Sequence, residues 1–426
     1  MNEVAETTAV DQSMIDTQDD HKVMDTLRPL PRISIQAFCE SDGLAQQING
    51  CADDRRMTRT HVRTVSGGIE TACTMYASSP TPNLIILENS GSSGDLLNRL
   101  ADLAEVCDPT TKVIVVGYDN DVHLYRELVR RGISEYLVGP VTLPDLINAI
   151  AGIFVDPEAE PLGRTMAFIG AKGGVGSSTI AHNCAWGISS LFDTEVILAD
   201  LDLAFGTANI NFDQDPPQGI AEAVFAPERL DDVFLERLLS KCADHLSMLA
   251  APSMLDRTYD FGTGSFEPVM EVVQRTAPVT VLDVPHMWTN WTKAVLSEVD
   301  DVVVIATPDL PNLRNTKNLI DTLSKLRPND KLPRLILNQV GMPKRPEIAI
   351  VDFCEPLSIE PAAIIPFDAA LFGNASNSGR MIAETDAKSP VSETFSQLAH
   401  ILTGRAEVKS QKKSGGTGLR GLLSRK

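Results

Sequence analysis

The stretch Lys172-Gly173-Gly174-Val175-Gly176-Ser177-Ser178-Thr179 carries the densest chemistry in the chain. A strand-like run, Thr165–Gly170, precedes it, and a helix-compatible run from about Ser177 to Leu191 follows. A strand that turns through glycines into a helix bunches several main-chain N–H groups at one point, and the helix dipole adds positive potential there. Side chains would obstruct an approaching phosphate, so glycine at 173, 174 and 176 suits an anion cradle. Ser178 sits where a hydroxyl reaches a magnesium ion. Two further apolar runs end in acids: Val196-Ile197-Leu198-Ala199-Asp200-Leu201-Asp202 and Val281-Leu282-Asp283-Val284-Pro285. A third, Leu335-Ile336-Leu337-Asn338, ends in an amide, which can donate to and accept from the edge of adenine at once.

These side chains need a sheet to hold them. In the second part of the chain, strands are predicted at 165–170, 195–199, 245–250, 279–282, 301–306, 334–337 and 362–365, with helices between them. This is a doubly wound parallel sheet, whose ligands gather beyond the C-terminal strand ends. Leu313, Leu319, Ile320, Leu323 and Leu326 mark the apolar face of one helix. The first part reads as a smaller α/β unit, with strands near 32–38, 84–87, 113–116 and 135–138. The resulting division is an acidic, disordered arm (1–31), a small α/β domain (32–153), a Pro- and acid-rich linker (154–163), a phosphate-binding domain (164–403) and a basic flexible tail (404–426).

The Gly-rich loop departs twice from the general pattern G-x-x-x-x-G-K-[ST]: Ala171 replaces the first glycine and Ser177 the lysine. With Lys172 placed early, it resembles the deviant loop K-G-G-x-G-K-[ST] of the MinD/ParA family of ATPases. That resemblance implies ATP and Mg2+ as ligands. Lys172 then reaches across a dimer to the partner's nucleotide, and residues 172–179 hold the phosphates. Ser178 and Asp283, in a D-x-P Walker B segment, hold magnesium. Asp200 supports the metal, Asp202 positions or activates water, and Asn338 contacts the base, with Pro366-Phe367-Asp368 beside it. The second lysine of the motif, absent at Ser177, normally stabilises the transition state. The expectation is therefore ATP binding with slow, absent or dimer-dependent hydrolysis. His286, Trp288 and Trp291 are left outside the site.

The first domain resembles the receiver domain of response regulators. Glu88 stands at the place of the phosphorylatable Asp, and Gly139-Pro140 at the place of the Lys-Pro. Phosphoryl acceptance is expected to be lost, Glu88 to be a surface residue, and the domain to be an interaction or dimerisation module. A degenerate receiver joined to a MinD-like domain, with K-G-G-V-G-S-S-T followed by Ala181-His182-Asn183, resembles the CpaE/TadZ family of pilus-assembly proteins. This implies a homodimeric cytoplasmic factor at a cell pole, peripheral to the inner membrane. Its implied partners are components of a Flp (type IVb) pilus or Tad secretion system, including the secretion ATPase. ParA-like partitioning and MinD-like division positioning are the alternatives.

Composition narrows the field. A net charge of −20 opposes broad nucleic-acid binding. Seven scattered cysteines without Cys-x-x-Cys oppose a cysteine-ligated metal or cluster and suit a reducing compartment. No stretch approaches the roughly 20 apolar residues of a membrane span. The tail carries seven Lys or Arg, one Glu and three leucines. It reads as solvated, with weak contact to anionic lipid as its secondary use.

Overall fold

The computed structural model describes residues 30–91, 93–155, 162–253, 255 and 258–405. The expectations for most of the arm, for the centre of the linker and for the tail beyond Arg405 lie outside these residues. Leu30, assigned to the arm, is buried in the first domain.

Two sheets organise the chain. The first domain holds β1 (Ser34–Cys39), β2 (His61–Ser66), β3 (Leu84–Asn89), β4 (Lys112–Gly117) and β5 (Glu135–Val138). They form a parallel sheet in the order β2-β1-β3-β4-β5. Helices α1 (Asp42–Ala52), α2 (Ile69–Tyr76), α3 (Ser93–Val106), α4 (Val122–Arg130) and α5 (Leu143–Phe154) connect and cover the strands. Central β3 is buried throughout, as its run Leu84–Leu87 requires.

Glu88 is the main correction here. It is wholly buried rather than at the surface. Its Oε2 accepts from the backbone N–H groups of Glu40 (2.7 Å) and Ser41 (2.8 Å). Its Oε1 accepts from Ser41 Oγ (2.7 Å) and Tyr118 Oη (2.6 Å). Burial alone would raise this carboxyl, but the four donors together hold it below the usual range. The residue is a buried, fully hydrogen-bonded anion.

The second sheet contains β6 (Arg164–Gly170), β7 (Val196–Asp200), β8 (Ser240–Ala243), β9 (Leu246–Leu249), β10 (Val279–Val284), β11 (Asp301–Ala306), β12 (Arg334–Val340) and β13 (Pro361–Pro366). Its order is β13-β12-β11-β6-β10-β7-β9-β8. The expected all-parallel sheet is mixed, because β8 runs antiparallel to β9 at one edge. The helices that matter for the site are α6 (Ser177–Phe192) after β6, α7 (Leu310–Leu326) after β11, and α8 (Pro390–Thr403), which packs on α6. One apolar cluster lies on each face of the sheet, so the crossover helices cover both sides.

The domains meet through buried charge. Arg55 bonds Asp330 (2.9 Å) and Asp300 (2.9 Å), and Arg56 bonds Asp54 (3.1 Å) and Asp330 (3.2 Å). Arg327 adds a third guanidinium to Asp330 at 3.1 Å. Burial would raise the Asp330 carboxyl; Arg55, Arg327 and Arg56 pull it below the usual range. Removing one member of such a cluster strands the rest without water. Asp330→Ala is therefore expected to cost about 3–5 kcal/mol in urea unfolding. Asp321→Ala, which breaks an exposed pair with Lys317, is expected to cost less than about 1 kcal/mol. Equal losses would contradict the buried-cluster reading.

Candidate functional site

The Gly-rich loop spans the turn from β6 into α6. Gly174 (φ +81°) and Gly176 (φ +88°) occupy the left-handed region, which favours glycine. At Gly176 a Cβ would also come within 2.6 Å of Asn338 Nδ2. The loop's carbonyls are bound from outside. Gly170 O accepts from His286 Nδ1 (2.7 Å) and Ala171 O from Asn315 Nδ2 (2.8 Å). Gly174 O accepts from Gln339 Nε2 (3.1 Å) and Val175 O from Asn338 Nδ2 (2.8 Å). With the carbonyls held outward, the loop's amides and the first N–H groups of α6, which have no intrahelical acceptor, remain for an anion. Ser177 Oγ is buried at the same point with no hydrogen-bond partner.

Lys172, Gly173 and Gly174 are exposed. The Lys172 charge acts on Asp309, the residue capping α7. Burial would raise the Asp309 carboxyl; bonds from Asn312 and Thr307, with Lys172 behind them, hold it below the usual range.

The carboxylates meet because of strand register. Asp283 on β10 pairs directly with Asp200 on β7, so parallel neighbours carry two acids side by side. Both are buried. Asp200 Oδ1 accepts from Asp202 N and Oδ2 from Ala208 N, each at 3.1 Å. Asp200 thereby fixes the 201–208 loop while its charge faces Asp283. Burial, and then the Asp283 charge, push the Asp200 carboxyl up to about 7. Asp202 is half-buried, accepts from Phe205 N at 3.0 Å, and is also raised, chiefly by burial.

His182 is the residue that sequence reading passed over as a site member. It lies one helical turn after Ser178 and is fully buried. Its Nδ1 is 3.0 Å from Asn211 Nδ2. Since that amide nitrogen only donates, Nδ1 accepts and Nε2 carries the proton. Nε2 lies 3.3 Å from Asp283 Oδ2 but makes no aligned hydrogen bond. One ligand atom each from His182, Asp200 and Asp283 lie within 4.8 Å of one another. The i, i+4 spacing from Ser178 was the available signal. Two buried carboxylates side by side call for a compensating cation, and their oxygens suit a hard dication such as Mg2+; His182, with both ring nitrogens turned to Asn211 and Asp283, borders that place and adds no oxygen to it.

Asn338 is buried, and one N–H of its amide donates to Val175 O, so it buttresses the loop; its second N–H and its carbonyl are not used in that bond. Trp291 is buried against Phe266 and Phe261, whereas Trp288 is half exposed. His286 supports the loop from outside. Among the described residues no helix is long and apolar enough to cross a membrane.

No family model matches the chain. A solved pilus assembly protein CpaE from Caulobacter crescentus CB15 is 45% identical, covering 30% of this chain and 98% of that one, with a TM-score of 0.30. The match falls on the N-terminal region. A ParA family ATPase from Chlorobium tepidum TLS is 22% identical, covering 55% of this chain and 98% of that one, with a TM-score of 0.51, which shows the fold. The septum site-determining protein MinD of Bacillus subtilis strain 168 is 24% identical over 259 residues, 58% of this chain and 91% of that protein. With a second domain that shares the MinD/ParA fold, and 45% identity across almost the whole of a solved relative, the chain belongs to the CpaE family of pilus-assembly proteins.

Proposed function

We propose that this protein binds MgATP in the 172–179 loop and uses it to control the pairing of two copies. In this reading it serves as a cytoplasmic localisation and assembly factor for a Flp (type IVb) pilus or Tad secretion system at a cell pole. The observation that carries the nucleotide reading is the loop itself, whose carbonyls are bound outward beside a buried pair of acids. The pilus role draws on the similarity to CpaE.

Each residue has a defined task. Loop amides and the N-terminus of α6 hold phosphate oxygens. Ser178 and Asp283 hold the magnesium ion, which would offset the charge of the buried acids. Asp200 keeps the 201–208 loop in place, and Asp202 orients water at its edge. Lys172, exposed at the loop's start, is positioned to serve a neighbouring copy. Ser177 supplies a hydroxyl where the general motif has an ammonium, so ground-state binding is retained and transition-state stabilisation is weakened. Turnover is expected to be slow and to rise with protein concentration.

Lys172→Ala tests the pairing. At saturating MgATP, sedimentation of the wild type is expected to show a nucleotide-dependent shift to a larger species, and the variant no shift. The variant's affinity for ATP is expected to stay within about fivefold of wild type, a difference near 1 kcal/mol. Brisk turnover that is independent of concentration and insensitive to Lys172 would refute the reading.

The acid pair gives a pH signature. A carboxyl whose folded value exceeds its unfolded one destabilises the fold as it ionises. Without metal, stability is therefore expected to fall as pH rises from about 4 to about 7, the range between the ordinary and the raised Asp200 values. Asp200→Asn is expected to remove most of that slope and to stabilise metal-free protein at pH 8 by about 2–4 kcal/mol. Melting curves with EDTA against pH read this directly; an unchanged slope in the variant would assign the effect elsewhere.

A further inference from the structure

The crest of the Gly-rich loop is not positioned by packing. Gly173 and Gly174 are exposed, and a Cβ placed on either would meet nothing within 4 Å. The bond that reaches the crest runs from Gln339 Nε2 to Gly174 O. A trans peptide sets its C=O and the next N–H on opposite sides. With Gly174 O held outward, the N–H of Val175 is turned to the phosphate side. Gln339 makes this bond from an irregular backbone. Consecutive side chains of a strand point to opposite faces, yet Asn338 and Gln339 both bond carbonyls of the one loop. β12 spans Leu337 to Val340 where β13 spans only Ile364 to Pro366, which is the extra residue of a β-bulge. Gln339 itself is left-handed, at φ +55°, a region that residues other than glycine seldom adopt. Such a conformation persists only where its surroundings over-determine it.

Those surroundings are the segment that follows β12. Half-buried Arg345 donates from Nη1 to Gln339 Oε1 (3.2 Å) and from Nη2 to Gln339 O. Its Nη2 also pairs with Glu347 Oε1 at 2.9 Å. The Glu347 carboxylate accepts in turn from Gly341 N (3.0 Å) and Met342 N (3.2 Å), which closes the segment on itself. Ile348 N donates to Pro308 O (2.8 Å) and so ties the far end to the start of α7. The forked guanidinium holds the side-chain and main-chain oxygens of one residue together, a grip that a lysine's point charge does not give.

We infer that Arg345 is a positioning residue for phosphate. It fixes Gln339, Gln339 fixes Gly174 O, and the N–H of Val175 is thereby aimed into the cradle. The inference rests on the reading that the 172–179 loop binds phosphate. Because the Arg345 charge is already committed to Glu347, the residue acts by geometry and not as a free cation. The grip on the ligand is then set by a brace that lies outside the loop and makes no contact with phosphate.

The test is calorimetry of the full chain with two probes, MgATP and magnesium tripolyphosphate, the second of which has no base. Gln339→Met, similar in length but without a donor, is expected to weaken both by about fivefold to tenfold, the worth of one hydrogen bond. Arg345→Ala is expected to weaken both at least about threefold, and Arg345→Lys to behave in the same way, since it keeps the charge and loses the fork. Adding Arg345→Ala to Gln339→Met is expected to change affinity by less than about twofold, because the brace then has nothing to hold. Recovery of binding in Arg345→Lys would assign the effect to charge. A further loss in the double variant would make it a general loosening of the fold, and a loss confined to MgATP would make it a contact to the base. Each of these outcomes would overturn the inference. Wild-type affinity in both single variants would also overturn it, while leaving the nucleotide reading intact. A wild type that takes tripolyphosphate and not ATP would sink the ATP reading and leave the brace standing; one that binds neither would sink both.

Discussion

Two buried carboxylates, Asp200 and Asp283, stand side by side because β7 and β10 are parallel neighbours in direct register. Like charges at that range in a dry interior are costly unless a cation or a proton intervenes. His182 stands beside them, its Nε2 3.3 Å from Asp283 Oδ2 but poorly aligned for a hydrogen bond. In the proposed function a metal meets this electrostatic demand, and the adjoining loop holds the phosphates that carry it. The surrounding architecture serves that pairing. Asp200 ties down the 201–208 loop through two amides, and side chains from β12, α7 and the segment after β10 hold the Gly-rich loop's carbonyls outward.

The same elements connect the site to the first domain. β6 begins beside Asp300, which accepts from the backbone and side chain of Thr165 and from Arg55. It ends at Gly170, at the mouth of the loop. α7 starts at Asp309, within the influence of Lys172, and is followed by Arg327 in the interdomain charge cluster. A strand and a 17-residue helix therefore each run from the domain junction to the Gly-rich loop. Docking of the first domain fixes the base of the machinery and leaves the α4–β5 surface facing solvent.

Much of this was legible in the sequence wherever local pattern decides structure. The glycines of 173–176, the apolar runs ending at Asp200 and Asp283, and the alternation of strands and helices all follow from short-range rules. The misses share a different cause. β2, His61-Val62-Arg63-Thr64-Val65-Ser66, is an edge strand with mixed, partly exposed residues, so it lacks the apolar run that marks buried strands. β8 is hidden for the same reason. Glu88 looked like the solvent end of β3, and only the amides and hydroxyl contributed by residues 40–41 and 118 make burial tolerable there. Arg55 and Arg56 carry no local sign of burial; their partners Asp300 and Asp330 lie 245 and 275 positions beyond Arg55. The bond from Asn338 to the loop carbonyl of Val175, 163 positions earlier, was equally out of reach of local pattern. Long-range partners, not local propensity, settled each of these.

Titration calorimetry of the full chain with ATP, run once with magnesium and once with EDTA, probes the unmet charge at Asp200 and Asp283 most directly. Saturable binding that tightens at least about tenfold when magnesium is present, a difference of roughly 1.4 kcal/mol, is the expected result. Absence of binding heat in both buffers, or equal affinity with and without the metal, would contradict the view that these acids await a nucleotide-borne cation.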